Sequence, residues 1–212
     1  MLSKRIFAIL SVWAGFAIAQ TGAPNAQQRL ESFLGDTRAF EAAFEQVVYD
    51  DQFQALDSSR GRVLIKRPGR FVWDYEPPAD RKIVSNGINV WIYDIDIEQV
   101  TVQKLADTLG TSPAAVLAGS VKLDQDFGVA DGGTQDDLAW VIVTPKSLDN
   151  NFERLRLGFQ ATELHRIEMV DALGQTTRID FSDHRLNPSI DDSAFDFVAP
   201  EGIDIIDQTT RR

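Results

Sequence analysis

Alternating apolar and polar residues dominate the chain from residue 61 to residue 104 and restrict it to a β-rich fold. Phe71, Trp73 and Tyr75 share one face of a predicted strand, because side chains two residues apart point to the same side. Asn86-Gly87 separates two further apolar segments and is a strong signal for a tight hairpin turn. Most of these segments follow one another without a helical stretch, which a parallel connection would require. We therefore expect an antiparallel sheet that forms a sandwich or a barrel.

The rest of the chain continues this pattern and adds two short helices. Leu30, Phe33 and Leu34 have helical spacing, and Gly35 follows them as a stop signal. The alanine-rich segment 113–118 predicts a second helix, with a proline near its start. Residues 40–48 alternate and favour a strand, although Phe40 and Phe44 could also be neighbours on a helix. Further strands are predicted at 61–65, 71–75, 83–85, 90–93, 99–102, 127–129, 139–143, 152–159, 164–170 and 175–181.

Residues 1–19 have the three parts of a secretory signal peptide. Lys4 and Arg5 precede an uncharged apolar run at 6–18, and Ala17-Ile18-Ala19 is a small-x-small cleavage motif. The apolar run is shorter than the roughly 20 residues that a membrane-spanning helix needs. An amphipathic first helix is the alternative, but the run has no polar face. The sequence predicts cleavage near Ala19 and a single domain over residues 20–212.

The composition excludes several classes of partner. The chain has no cysteine, so neither a disulfide framework nor lipid attachment to this chain is expected. Its formal net charge is −11, and loss of Lys4 and Arg5 would leave −13. Such acidity repels nucleic-acid phosphates and anionic lipid headgroups. We expect a soluble protein without a nucleic-acid partner and without stable insertion into a membrane.

Catalytic signatures are absent from the sequence. It contains no P-loop, dinucleotide-binding glycine motif, zinc-protease motif or nucleophile elbow. His165 and His184 are expected to be isolated surface residues, and without cysteine they leave few ligands for a transition metal. The acidic loop at 131–137 lacks the spacing of a calcium-binding EF-hand. The acidic residues within 94–98 suit a solvated strand as well as a carboxylate pair. The sequence therefore predicts no enzymatic activity, no metal site and no cofactor.

Residues 61–78, with the sequence GRVLIKRPGRFVWDYEPP, resemble one family in particular. This segment has a Lys66-Arg67-Pro68 turn, then Phe71 and Trp73 separated by one residue, then a proline-containing loop. Further similar segments follow in order at 84–93, 98–101, 111–117, 144–146, 171–177 and 195–206. As a set they resemble the LolA-type outer-membrane lipoprotein carrier over nearly the whole mature chain.

The resemblance implies a fold and a function. The fold would be an unclosed antiparallel β-barrel with short α-helices that form a lid over an apolar cavity. The function would be that of a monomeric periplasmic chaperone that carries acylated lipoproteins. An inner-membrane ABC transporter would release the lipoproteins, and an outer-membrane receptor would take them from the carrier.

The resemblance also implies roles for individual residues. Arg67 matches an arginine that hydrogen-bonds backbone carbonyls of the lid and couples lid opening to cargo transfer. Phe71 and Trp73 match residues of the hydrophobic cavity. The residues expected to form the cargo-binding site and the lid are Leu30, Phe33, Leu34, Phe44, Arg67, Phe71, Trp73, Trp91, Tyr93 and Leu117. Without the resemblance, Arg67 would suit a solvated rim position and the rings an ordinary core.

Two other functions are compatible with the same sequence. A periplasmic sensor domain that binds lipid or glycolipid would use the same half-barrel, but an additional regulatory domain would not fit within residues 20–212. A secreted lipid hydrolase would need a nucleophile and a base in one place, and the sequence offers no such pair.

Overall fold

Twelve strands account for most of the residues that the computed structural model describes, which are 24–108, 113–119, 123–147 and 152–210. The strands are β1 (Ala39–Tyr49), β2 (Ala55–Lys66), β3 (Arg70–Tyr75), β4 (Arg81–Asn86), β5 (Asn89–Asp94), β6 (Gln99–Lys104), β7 (Phe127–Gln135), β8 (Leu138–Pro145), β9 (Phe152–Gln160), β10 (Glu163–Asp171), β11 (Thr176–Leu186) and β12 (Asp204–Asp207). The predicted signal peptide and its cleavage site lie outside the described residues.

The described helices are short and lie between strands or before them. They are α1 (Ala26–Asp36), α2 (Leu105–Thr108), α3 (Pro113–Leu117) and α4 (Leu123–Asp126), with a 3-10 turn at Asp192–Phe195. None of the described helices is long and apolar enough to cross a membrane. Helix α1 extends past the predicted stop at Gly35 by one residue.

The strands form one sheet with the order β12-β6-β5-β4-β3-β2-β1-β11-β10-β9-β8-β7. All neighbouring strands are antiparallel except β12, which is parallel to β6. The edge strands β12 and β7 do not pair with each other, so the sheet remains open. The predicted fold class, a mainly antiparallel and unclosed barrel, is confirmed.

Strands β1 and β2 form the long centre of the sheet. The alternation predicted for β1 is observed, because Phe40, Ala42 and Phe44 are all buried on one face. Gly61 in β2 allows close approach of β3: a Cβ atom there would lie 1.9 Å from the Asp74 carbonyl oxygen and 3.0 Å from the Phe44 ring. Any larger residue at position 61 would therefore push β3 away from the rings on β1.

One cluster of buried apolar side chains fills the concave side of the sheet. Its aromatic members are Phe33, Phe40, Phe44, Phe71, Trp73, Phe127, Phe152, Phe159 and Phe181. Neighbouring rings mostly meet edge to face, as Phe40 and Phe181 do with centroids 5.7 Å apart. Because burial of such a side chain contributes about 1.5–3 kcal/mol, this concave cluster is the main source of stability.

Two helical segments cross the mouth of the concavity. Helix α1 precedes β1 in the middle of the sheet, yet it contacts β7 and β8 at one edge. The connection between β6 and β7 joins strands near opposite edges of the sheet, and it contains α2, α3 and α4. We call α1 and α3 the lid, because buried side chains of both helices belong to the apolar cluster on the concave face.

Trp91 and Tyr93 lie on the outer face of the sheet, so the expectation that they line the cavity with Phe71 is wrong. Phe71 pairs with Ser85, and Ser85 pairs with Val90. Side chains that pair directly share a face, and therefore Val90 is the inward residue of β5. The aromatic residues of β5 occupy the alternate positions, which point to the other side of the sheet.

The C-terminal segment covers this outer face. Phe195 packs with Val72 and Val84 in a second buried cluster. The ring of Phe197 lies against Trp91 and Tyr93, with centroids 6.1 and 6.0 Å away. The rings of β5 therefore anchor the C-terminal segment, and the inner and outer faces of the sheet have separate apolar clusters.

Candidate functional site

The concave face brings together most of the residues that the sequence singles out. Phe44, Phe71 and Trp73 are each at most 3% exposed and point into the concavity. The rings of Phe44 and Trp73 are in contact, with centroids 5.2 Å apart. Contact between these rings and a cargo molecule stays a prediction.

Helix α1 begins with a complete capping box. The Asn25 side chain accepts from the Gln28 backbone N–H, and the Gln28 side chain accepts from the Asn25 N–H. These bonds satisfy two of the donors that a helix N-terminus leaves free. The helix is short and would be marginal alone, so its stability depends on these caps and on packing.

The buried face of α1 lies over the aromatic cluster. Leu30 and Phe33 are almost fully buried, whereas Leu34 is half-buried at the edge of the cluster. The Phe33 ring meets Phe159 and Phe40 with centroids 5.4 and 6.3 Å apart. The predicted helical stripe therefore faces the interior, and α1 closes the concavity with its own side chains.

Helix α3 provides the second buried part of the lid. Val116, Leu117 and Ala118 are at most 1% exposed and belong to the same apolar cluster. Gly119 follows with a φ of +65°, a conformation that favours glycine. A Cβ atom at Gly119 would lie 3.2 Å from the Arg67 side chain, so the turn after α3 runs close against Arg67.

Arg67 joins both parts of the lid to the end of β2. Its Nε donates to the Leu117 carbonyl oxygen at 2.8 Å, and its Nη1 donates to the Thr37 carbonyl oxygen. Its guanidinium carbon lies 4.9 Å from the centre of the Phe33 ring. We call these contacts the latch, because one side chain holds the ends of α1 and α3.

Electrostatics favour a cation at this position. The carbonyl groups at a helix C-terminus carry partial negative charge, and the latch contacts that end of two helices. Burial lowers the pKa of Arg67 to about 10, which still leaves the guanidinium charged at neutral pH. Its Nη2 is buried without a hydrogen-bond partner among the described residues. The latch is therefore incompletely satisfied, which limits its strength.

The main-chain partners of the latch could not be found from sequence. Arg67 binds the carbonyl groups of Thr37 and Leu117. Beside it, the Gly69 N–H donates to the Ala118 carbonyl oxygen at 2.9 Å. These are backbone groups, which every residue has, so side-chain identity gives no signal for them. Only the pairing of Arg67 with a proline-glycine turn marks the position.

Trp73 contributes a second unpaired donor inside the concavity. Its Nε1–H is buried and has no hydrogen-bond partner in the part of the chain that is described. An unsatisfied buried donor costs about 1–3 kcal/mol, so the position is suboptimal for stability alone. A carbonyl oxygen on a bound molecule could accept from it if the lid moved.

Two surface cavities border α1. One has a volume of about 680 Å³ and is lined by residues that include Asp36, Arg38 and Arg67. The other has a volume of about 220 Å³ and lies between Phe33 on the helix and Ala161 in the β9–β10 turn. The helix is thus tightly packed on its apolar face and bordered by open space at two places on its sides.

His165 and His184 are together in the fold, although the sequence separates them. Their ring centroids are 4.5 Å apart, and Glu163 lies beside them. The expectation of two isolated histidines is wrong, because adjacent antiparallel strands bring distant residues side by side.

Comparisons with known proteins match one family over most of the chain. The family described as outer membrane lipoprotein carrier protein LolA matches residues 35–198. Proteins named outer-membrane lipoprotein carrier protein from Dechloromonas aromatica and Ralstonia nicotianae are 37% and 40% identical to this chain. The alignments cover 97% and 94% of this chain, and 95% and 94% of those proteins.

Solved structures show the same fold at low sequence identity. A LolA superfamily protein from Nitrosomonas europaea is 17% identical with a TM-score of 0.50, covering 82% of this chain and 99% of that one. An uncharacterized conserved protein from Thermus thermophilus is 11% identical with a TM-score of 0.53, covering 86% of this chain and 97% of that one. The family match and the two relatives together establish that the chain belongs to the LolA family of outer membrane lipoprotein carrier proteins.

Proposed function

We propose that this protein carries acylated lipoproteins through the periplasm to the outer membrane, without a chemical reaction of its own. The observation that carries the proposal is an apolar concavity whose two lid segments meet at a single side chain, Arg67. The names of the family and of its relatives support the same function.

The need for a shielded interior follows from the energetics of acyl chains. Each CH₂ group removed from water contributes about 0.8 kcal/mol, so one long chain contributes roughly 10 kcal/mol. Three chains on one lipoprotein would resist transfer to water by about 30 kcal/mol as an upper limit. Transit between membranes therefore requires a protein surface that replaces the lipid contacts.

The lid adjusts the affinity of this surface. In the described structure α1 and α3 occupy the concavity, so acyl chains must displace Phe33 and Leu117 before they reach Trp73. The closed lid keeps a large apolar surface from water, which would otherwise promote aggregation. Opening the lid costs the free energy of the latch and of lid packing, which makes the net free energy of cargo binding less favourable. The cargo can therefore be released again.

The partners in this cycle are part of the proposal. The chain has no nucleotide-binding motif, so energy for extraction must come from another protein, which we propose is an inner-membrane ABC transporter. We further propose that an outer-membrane receptor accepts the cargo by binding the acyl chains more strongly. The predicted signal peptide supports a periplasmic location for both exchanges.

The experiment that tests the function uses spheroplasts. The mature protein is added to spheroplasts, and we expect acylated lipoproteins to enter the supernatant in a one-to-one complex with it. The matched control is the same lipoprotein with its acylated cysteine replaced by alanine, which should form no complex. Equal capture of the unacylated form, or release without a complex, would contradict the proposal.

A further inference from the structure

The hydrogen-bonded ladder between β10 and β11 ends before either strand does. It runs from the Val170–Thr176 pair to the Arg166–Asp180 pair. Beyond it, β10 continues to pair with β9, and β11 continues to pair with β1. Among these described residues the two strands lie side by side with a gap in their backbone pairing, which we call the seam.

Irregularities on both strands turn side chains towards the seam. His165 is the additional residue where Leu164 pairs with Phe159 and Arg166 pairs with Gly158. On β11, two residues, Asp183 and His184, occupy the space opposite Ala42 alone, since the register shifts there. Bulges of this kind redirect side chains and occur frequently beside functional sites.

Asp183 adds to this evidence with a φ of +52°. A non-glycine residue in that conformation costs about 1–3 kcal/mol and persists only where its surroundings impose it. This conformation and the two bulges lie where His165 and His184 approach each other.

The three side chains at the seam have the spacing of metal ligands. One ligand atom from each of Glu163, His165 and His184 lies within 4.8 Å of the other two. Glu163 Oε2 and His165 Nε2 are 3.7 Å apart. Bonds of about 2.0–2.2 Å around a tetrahedral zinc ion place ligand atoms roughly 3.3–3.5 Å apart, so only small side-chain rotations are needed.

One ring nitrogen of His184 already has a hydrogen-bond partner. Its Nε2 donates to the Leu164 carbonyl oxygen at 2.9 Å, which leaves the lone pair on Nδ1. Histidines that bind metals usually donate their other N–H to a carbonyl or carboxylate in this way.

Charge at the seam also favours a cation. The Glu163 side chain is 47% exposed and remains accessible to an ion from solvent. Asp183, which directly precedes His184 in the chain, adds a second carboxylate next to the ligands. Arg29 of α1 approaches this end of β10, but its guanidinium donates to the Ala161 carbonyl oxygen.

We propose that Glu163, His165 and His184 bind one divalent transition-metal ion, with Zn²⁺ as the best match for two imidazoles and one carboxylate. The ion would join β10 to β11 where their ladder is missing. His184 also contacts Phe40, with ring centroids 6.0 Å apart, so the site borders the apolar cluster beneath α1. This proposal does not depend on the proposed carrier function.

The test is calorimetric titration of the protein, produced without a polyhistidine tag, with ZnCl₂ in a non-chelating buffer. We expect one ion per molecule and a dissociation constant at least about 100-fold weaker in the H165A/H184A double variant, since removal of first ligands should exceed the 10–100-fold effect of outer groups. The E163Q variant should also bind Zn²⁺ more weakly than the unmodified protein. The matched control is D96N, because Asp96 is an exposed carboxylate on the β5–β6 turn.

Two further measurements keep the test decisive if a variant does not fold. Zn²⁺ should shift the nitrogen NMR signals of both histidine rings in the unmodified protein, and Co²⁺ should give the visible absorption of a tetrahedral complex. Unchanged histidine signals at saturating Zn²⁺, or binding that the double variant retains, would overturn the proposal.

Discussion

At the scale of single residues, the role proposed for Arg67 requires a weak contact to control the binding of strongly apolar cargo. The guanidinium has a planar set of donors, so it can hold the Leu117 and Thr37 carbonyls at the same time. Each hydrogen bond to a charged group contributes about 1.5–3 kcal/mol, against an upper limit of roughly 10 kcal/mol for one buried acyl chain. The latch can therefore shift the lid equilibrium without preventing cargo entry.

Replacement of Arg67 by leucine should weaken the closed lid and slow cargo release. We expect the free energy of unfolding to fall by only about 1–2 kcal/mol, because the loss of two bonds is offset by removal of a partly unsatisfied buried donor. If the closed state loses about 1.4 kcal/mol, acylated peptide should bind roughly tenfold more tightly. Denaturation and fluorescence titration with acylated peptide measure the two quantities.

Arg67→Lys is the matched control for the latch, because it retains the charge but not the fork of donors. An ammonium group can reach one carbonyl well, so the lysine variant should lie between the native protein and Arg67→Leu in cargo affinity. Wild-type delivery by Arg67→Leu would reject the latch.

Gly61 and Gly35 differ in whether their surroundings leave room for a Cβ atom. Gly61→Ala should lower the free energy of unfolding by about 3 kcal/mol, because the new Cβ would meet the Asp74 backbone. Gly35→Ala should raise it by about 0.5 kcal/mol, because its site in α1 is open and alanine favours helix. Urea denaturation of both variants tests the contrast, and similar values for the two would contradict it.

The face on which a side chain lies was predictable within one strand. It was not predictable where it depends on how two strands pair. Alternation alone places Phe71 and Trp73 on a common face, because the period of a strand is two. It cannot determine whether Trp91 lies on that face, since this depends on the register across the hairpin. The meeting of His165 with His184 depends on two bulges, which have no reliable sequence signal.

At the scale of elements, α1 is the part of the lid whose behaviour its own sequence best explains. Leu30 and Phe33 give it one apolar stripe, and Asn25 with Gln28 gives it a cap. The helix was therefore predictable, but its position across the sheet was not. That position depends on contacts with β7 and β8, far along the chain. The parallel pairing of β12 with β6 is equally a product of tertiary packing.

Removal of the cap should loosen α1 without unfolding the sheet. Asn25→Ala is expected to cost the helix about 1 kcal/mol, which corresponds to roughly fivefold lower protection of its amides against hydrogen exchange. Gln27→Ala is the control, because it removes only an exposed contact with Glu31. Equal loss of protection in β1 and β2 would show that α1 does not open separately from the sheet.

At the scale of the whole molecule, the sheet has two apolar faces with different consequences. The outer face is covered by the chain's own C-terminal segment, through Phe195 and Phe197. The inner face is covered by lid segments that connect to the sheet through the latch. From the sequence, Trp91 and Tyr93 are expected on the same face as Phe71 and Trp73. Local alternation does not show that a distant segment of the chain covers the outer face.

The two faces predict where an acyl chain can be labelled. A lipopeptide with a photoreactive group near the end of its acyl chain should form adducts with Phe71 and Trp73 after irradiation, because the open lid exposes the inner face. Trp91 and Tyr93 should remain unlabelled, since Phe197 covers them on the other side of the sheet. Excess unmodified lipopeptide should suppress the inner adducts, which mass spectrometry of peptides can quantify. Equal labelling of Trp91 and Trp73 would mean that the acyl chain is not confined to the concavity, and the separation of the faces would then have no part in cargo binding.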